Sequence, residues 1–234
     1  MRGNGKMLGV LGGMGPLASA HFMVRLTQLT SAARDQDHIP TVLWSDPRVP
    51  DRTVREPSGD ADPLPWLLRG VEGLQRAGCG AIVIPCNTAH RWYDAMCDAA
   101  QVPILHIVDA AATELRRIGV VTGRCGVMAT QAALTMGLYQ DHLGRQGWDC
   151  IVPNPDEMAR LVSPAIALVK LNRMAEAYNP LATVVRSLAA RGAVSVVLGC
   201  TEIPLGIQAG PAPDLPVVDT IDALVRTAIE WARS

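Results

Sequence analysis

The sequence has no run of Lys or Arg, no Cys-x-x-Cys pair, no Gly-Lys-Ser/Thr phosphate loop and no apolar stretch of membrane-spanning length. Each absence excludes a class of function. Without a basic run, and with a net charge of −1, the chain has no electrostatic footprint for nucleic acid or an anionic membrane surface. A membrane helix needs about 18 apolar residues in a row, and no run approaches that. The N-terminal MRGNGKMLGVLGG carries basic residues, but glycine interrupts its apolar part too early for a secretory leader. Six cysteines (79, 86, 97, 125, 150 and 200) without paired spacing argue against zinc, and no metal site is expected. A disulfide scaffold is not expected either, because 234 residues at 49% apolar composition supply a sizeable core. A cytoplasmic enzyme with reduced thiols remains.

What the chain does have is alternation. MLGVLG (7–12), TVLWSD (41–46), AIVIPC (81–86) and VPILHI (102–107) read as buried strands ending in polar or turn residues. Between them, PLASAHFMVRLTQLTSAA and DPLPWLLRGVEGLQRAG carry helical spacing. Strands alternating with helices predict βαβ units and a parallel sheet flanked by helices, an α/β fold. The order then repeats. Gly9-Val-Leu-Gly-Gly corresponds to Gly126-Val-Met-Ala-Thr at an offset of 117, and Cys86 to Cys200 at 114. Pro103-Ile-Leu-His-Ile-Val-Asp-Ala corresponds to Pro216-Val-Val-Asp-Thr-Ile-Asp-Ala at 113. Three landmarks in one order predict two pseudo-symmetric lobes: 1–105 with 216–234 returning to it, and 106–215. Ligands of open parallel sheets sit at the carboxyl ends of strands, so the expected active site is the cleft between the lobes.

Two stretches then stand out. AIVIPCNTAH (81–90) and SVVLGCTEIP (195–204) each end a buried strand in a cysteine followed by polar residues. Inverting an amino acid's α-carbon needs a base on one face and an acid on the other, exchanging roles for the reverse reaction. A pseudo-symmetric thiol pair, Cys86 and Cys200, suits this chemistry. A strand–Cys–helix turn also sets sulfur beside a helix N-terminus, which favours thiolate. The same amides, with Asn87, Thr88 and Thr201, are candidates for holding an α-carboxylate. Cys79, Cys97, Cys125 and Cys150 have no counterpart in the other lobe and read as packing.

Together, GVLGGMGPLAS (9–19), RDQDH (34–38), VPDRT (49–53), IPCNTAH (84–90) and GCTE (199–202) resemble the cofactor-independent aspartate/glutamate racemase superfamily, and its aspartate racemase branch in particular. The resemblance covers essentially the whole chain. It implies an isomerase that interconverts L- and D-aspartate, or glutamate or other amino acids, through a cysteine thiol/thiolate pair. It further implies no cofactor, pyridoxal phosphate included, an acidic amino acid as small-molecule partner, and a homodimer. Rival readings are a maleate-isomerase-like cis-trans isomerase and a non-catalytic dicarboxylate-binding protein.

The resemblance maps Arg52 onto an arginine that grips substrate carboxylate, a task a planar guanidinium fits. It maps Lys170 onto a partner of the side-chain carboxylate. Ser163-Pro164 reads as a helix start, which puts Lys170 about two turns into a helix running to Ala177, with Ile166, Val169 and Met174 as its buried stripe. Gly13-x-Gly15-x-x-Ala18 is a near match to a dinucleotide fingerprint. Pro16 interrupts it, however, and no acidic residue ends a strand about 20 residues on, so a glycine turn offering amides around Met14 to a small carboxylate is preferred. Thr130, Thr201 and Met14 complete the expected grip on the α-carboxylate and amine. Two residues stay open: His90 orients the Cys86 thiol or simply packs, and Glu202 positions the substrate amine or simply begins a helix. The family commonly has Ala-Thr-x-Gly-Thr where this chain has Ala129-Thr130-Gln131-Ala132-Ala133, so a second hydroxyl is missing at Ala133.

Overall fold

The computed structural model describes residues 6–53 and 59–234. Met1–Gly5, the first residues of the N-terminal MRGNGKMLGVLGG stretch, lie outside the described ones. The chain divides into two compact units, one of Met1–Ala110 with Ile221–Ser234 and one of Ala111–Thr220.

In the first unit the strands are β1 (Leu8–Gly12), β2 (Thr41–Ser45), β3 (Ala81–Val83) and β4 (Ile104–Leu105). They form one parallel sheet in the order β2-β1-β3-β4. Every residue of β1 is buried, as a parallel strand covered on both faces requires. The helices are α1 (Pro16–Leu29), α2 (Leu64–Arg76), α3 (Tyr93–Ala99) and the start of α4 (Ile107–Arg117). In α2 the buried residues Leu67, Gly70, Val71 and Leu74 recur at helical spacing and make the stripe that faces β1 and β2. The last helix, α11 (Thr220–Arg233), docks on this unit through Asp222. That carboxylate takes a bidentate pair of hydrogen bonds from Arg25 Nε and Nη2 of α1, both 2.6 Å.

The second unit repeats the arrangement. Its strands β5 (Gly123–Ala129), β6 (Trp148–Ile151), β7 (Ser195–Gly199) and β8 (Val217–Asp219) are parallel in the order β6-β5-β7-β8. Strand for strand this is the order of the first sheet, the architecture that the repeated landmarks imply. Its helices are α5 (Gln131–Thr135), α6 (Leu138–Gly144), α7 (Pro155–Glu157), α8 (Ser163–Lys170), α9 (Met174–Ala190) and α10 (Ile203–Ile207). Leu181, Val184, Val185 and Leu188 of α9 are buried, and this helix packs on β5 and β7.

Several boundaries differ from the sequence reading, each for a local reason. The run 81–86 is paired only to Val83, because Pro85 has no N–H to give a ladder. The run 102–107 pairs only at Ile104 and Leu105, since α4 begins at Ile107. Strand β6 lies in a segment the periodicity did not single out.

The largest correction concerns the helix of Lys170. Ser163 is the first residue of α8 but not the start of the helical run. The helical run begins at Pro155 under a capping box, in which Asn154 Oδ1 accepts from Glu157 N–H (2.9 Å) and Glu157 Oε2 accepts from Asn154 N–H (2.7 Å). It continues through a π-helical turn, Met158–Val162, into α8. Lys170 is the last residue of α8, and the run does not reach Ala177. Asn172 adopts φ 64°, the left-handed conformation that ends helices, and α9 starts afresh at Met174. Met174 is therefore on a different helix from Ile166 and Val169.

Candidate active site

In the first unit, the expected residues lie where β1, β2 and β3 end. Beyond β1 the chain turns at Gly13, whose φ is 92°. A Cβ there would collide with the backbone of Asp46, just past β2, so only glycine lets these two strand ends close on each other. Ser19 of α1 locks the turn: its Oγ accepts from Gly13 N–H (2.8 Å) and donates to Gly15 O (2.9 Å). Met14, at the turn's apex, is buried in one apolar cluster with Val49 and Cys86. Residues from three strand ends thus converge.

Arg52 belongs to the loop after β2. Its Nη1 donates to the carbonyls of Val49 (3.2 Å) and Pro50 (3.0 Å), which folds the guanidinium back onto its own loop. Its Nε is buried without a hydrogen-bond partner. A desolvated guanidinium N–H is costly to leave unmatched, and an incoming carboxylate is the acceptor that matches it best. Asp46 is not available for that purpose. Arg48 holds it with Nε at 2.9 Å and Nη2 at 2.8 Å, which keeps its carboxyl below the usual carboxylate range.

Cys86 is 6% exposed and follows β3 by three residues. Its N–H donates to Ile84 O at 2.7 Å, a tight bend that aims the chain away from the sheet. Asn87 and Thr88 are buried beside it, and a 3₁₀ turn runs from Thr88 to Trp92, so His90 sits in that turn and not yet in an α-helix. His90 is buried with both ring nitrogens on backbone. Nε2 accepts from Ile107 N–H (3.2 Å), and Nδ1, which therefore carries the hydrogen, donates to Cys86 O (3.0 Å). Tyr93 stacks parallel to the imidazole and His106 meets it edge-on. His90 is thus a strut between the Cys86 turn and the start of α4.

In the second unit, β5 and β7 are paired through Ala129 and Gly199, so Thr130 and Cys200 emerge side by side. Thr130 caps α5, its Oγ1 accepting from Ala133 N–H at 3.2 Å. Ala133 is fully buried, so the methyl that replaces the family's hydroxyl is packed inside. Cys200 is 4% exposed; Thr201 and Glu202 are buried next to it. The Cys200 thiol donates to Glu202 Oε2 at 3.1 Å, and Thr201 Oγ1 donates to the same oxygen at 3.2 Å. Glu202 stands at the N-cap of α10, yet its carboxylate makes no capping bond to that helix. Lys170 is unlike these buried groups: it is exposed at the end of α8.

Two supports escaped the sequence. Ser19 had a signal, a hydroxyl one turn inside a helix opened by Gly-Pro. Tyr139 had none. Its fully buried ring covers Gly199, where a Cβ would come within 2.7 Å of Cε2, and its phenol, which burial pushes well above its ordinary range, bonds Thr220. Thr220 in turn donates to Leu198 O at 3.0 Å, which braces the strand that delivers Cys200.

The remaining thiols have a different setting. Cys125 is fully buried in β5, and burial pushes it up to about 12; Cys150 on neighbouring β6 is pushed up to about 11. Burial also raises Cys79. Thiols held protonated in this way are inert as bases near neutrality.

Comparison with known proteins agrees with this architecture. Over 230 residues the chain is 24% identical to the broad specificity amino-acid racemase RacX of Bacillus subtilis (strain 168), which spans 95% of this chain and 96% of that protein. Its fold matches that of an aspartate racemase from Picrophilus torridus with a TM-score of 0.84 at 29% identity, covering 98% of this chain and 95% of the other. A glutamate racemase from Francisella tularensis, solved with D-glutamate, shares the fold at TM-score 0.68 and 15% identity, over 97% of this chain and 81% of that one. The family described as Asp/Glu/Hydantoin racemase matches residues 11–228. The chain belongs to the Asp/Glu/Hydantoin racemase family and is an isomerase of the racemase class.

Proposed function

We propose that the chain is a cofactor-independent racemase of acidic amino acids, with aspartate as its substrate and Cys86 and Cys200 as its two acid–base groups. The observation that carries this reading is the equivalence of the two thiols. Each is a buried cysteine just past the same strand, β3 or β7, of a sheet with the same order, and each has a buried threonine within two residues. The other four cysteines have no such equivalence.

Chemically, a thiolate takes the α-hydrogen as a proton, so an S–H bond forms and the C–H pair passes into the α-carboxylate. The second thiol returns a proton to the opposite face, and the roles exchange for the reverse reaction. The reading requires that each thiol reach only one face of the α-carbon. In it, the amide of Met14 with Asn87, Thr88, Thr130 and Thr201 holds the α-carboxylate and amine, where donors offset the charge that develops on deprotonation. Arg52 and Lys170 take the side-chain carboxylate. The unmatched Nε of Arg52 favours an acidic substrate, and the Picrophilus torridus aspartate racemase is a neighbour of that description. The reading includes a cytoplasmic homodimer. Among the described residues, no helix is long and apolar enough to cross a membrane.

The test is direct. Purified protein is incubated under reducing conditions with single L-amino acids, and the products are resolved by chiral chromatography. D-Aspartate should accumulate, carrying deuterium at the α-carbon when the solvent is deuterium oxide. Failure to invert any amino acid would remove the reading.

A further inference from the structure

We propose that Glu202 holds Cys200 in its thiol form in the free enzyme, making Cys200 the proton donor and Cys86 the proton acceptor of the first half-turnover. The inference rests on the two-thiol reading above and adds a direction to it.

Three observations carry it. The Cys200 sulfur lies 3.1 Å from Glu202 Oε2 and donates to it, the contact a thiol makes with a carboxylate. The carboxylate is buried and takes a second hydrogen bond, from Thr201, on the same oxygen; two donors converge on one acceptor and fix it in place. Glu202 occupies the N-cap of α10 but makes no capping hydrogen bond there, so helix initiation does not account for its orientation. The first unit has no parallel by sequence, because the position two residues past Cys86 is the uncharged Thr88. The two thiols are equivalent by topology and differ in the residue two positions on, Thr88 in one unit and Glu202 in the other.

A carboxylate one hydrogen bond away opposes a second negative charge on sulfur. Cys200 therefore rests as S–H. In the first half-turnover the C–H bond breaks as Cys86 thiolate gains the proton, and the electron pair moves into the α-carboxylate. The S–H bond of Cys200 then breaks as the opposite face of the carbon is protonated, which leaves Cys200 as thiolate beside Glu202. That state is relieved when Cys200 recovers a proton, from the opposite enantiomer or from water, while Cys86 returns its own. Glu202 acts here through the Cys200 sulfur that it holds, so its role is that of a positioning residue.

The experiment compares the full-length wild type with Glu202→Gln and Glu202→Asp by timed alkylation with iodoacetamide at one neutral pH. Each cysteine is quantified by peptide mass spectrometry. Cys86 and Cys200 are almost equally covered, 6% and 4% exposed, so their rates report thiolate content more than access. In the wild type, Cys86 should react faster than Cys200. Glu202→Gln keeps size and hydrogen bonding but removes the charge. It should speed alkylation of Cys200 by about tenfold or more, the change in thiolate fraction expected when one adjacent negative charge is lost. Cys86 and Cys97 should be unaffected, and Glu202→Asp should lie near the wild type. An unchanged Cys200 rate in Glu202→Gln would overturn the proposal, and so would an equal rise at every cysteine, which would mean general loosening. Racemisation by the wild type is assayed separately. Activity with an unmoved Cys200 rate defeats the Glu202 assignment alone, whereas no racemisation of any amino acid defeats the two-thiol reading.

Discussion

His90 holds the carbonyl of Cys86 at 3.0 Å through Nδ1 while its Nε2 accepts the Ile107 amide at 3.2 Å, so one buried imidazole ties the candidate catalytic turn to the start of the next helix. His90→Ala leaves a buried carbonyl and a buried N–H without this partner, at a cost of about 1–3 kcal/mol. Urea denaturation should show that loss, and amide exchange at Ile107 should accelerate. Turnover should fall more than apparent substrate affinity, because the strut touches the Cys86 turn and no substrate group. Unchanged exchange at Ile107 would contradict this role.

If two thiols act on opposite faces, neither replaces the other. Cys86→Ala and Cys200→Ala should each slow racemisation by ~10²-fold or more, the scale of a positioned acid or base. The double variant should be little worse than either single one, since groups working as a unit are non-additive. Alanine at Cys79, Cys97, Cys125 or Cys150 should leave turnover near normal apart from packing losses. Near wild-type rates from either Cys86→Ala or Cys200→Ala would end the two-base mechanism.

Arg52 should act as a reader of charge. Arg52→Ala removes the unmatched Nε donor and a charge-assisted contact worth roughly 1.5–3 kcal/mol. Activity on aspartate should fall far more than activity on a neutral amino acid measured side by side. Lys170→Ala should show the same selectivity. Equal losses on acidic and neutral substrates would mean that these residues do not read the side chain.

Cys125 predicts the alkaline limb of stability. Its thiol, 9.0 when unconstrained, is pushed up to about 12 by burial. Below pH 9 both states keep the proton and the effect vanishes. Between about 9 and 12 the unfolded chain has lost the proton and the folded one has not, so stability falls as pH rises, by about 1.4 kcal/mol per pH unit for this thiol. Melting curves of Cys125→Ala should be lower at neutral pH, from the cavity, but should decline less steeply between pH 9 and 11. A parallel decline would show that this thiol does not set the limb.

Much of the architecture was legible because burial on both faces leaves plain apolar runs. The strands β1 and β7, buried throughout, could be read this way, while β2, half-exposed at the edge of its sheet, still keeps an apolar run; the repeated Gly, Cys and Pro landmarks announced two equivalent sheets. Misreadings arose where a local signal was outweighed. Ser163-Pro164 imitates a helix start, but Asn154 and Glu157 had already capped the run upstream, and a π-helical turn carried it past the proline. Pro85 silenced the end of a run whose composition still read as strand.

The sequence by itself determined the chemistry on offer: two cysteines at matching strand ends, polar residues after each, and glycines where strand ends must approach. Those facts depend on residue type and spacing along one chain. Only the tertiary structure decided which partner each polar group meets. His90 became a strut because the α4 amide lies across from it, Ser19 a clamp because α1 folds back on the Gly13 turn, and Glu202 a thiol partner because its carboxylate turns from the α10 backbone towards sulfur. A side chain's hydrogen bonds depend on distances of about 3 Å and on direction, which no spacing in sequence specifies.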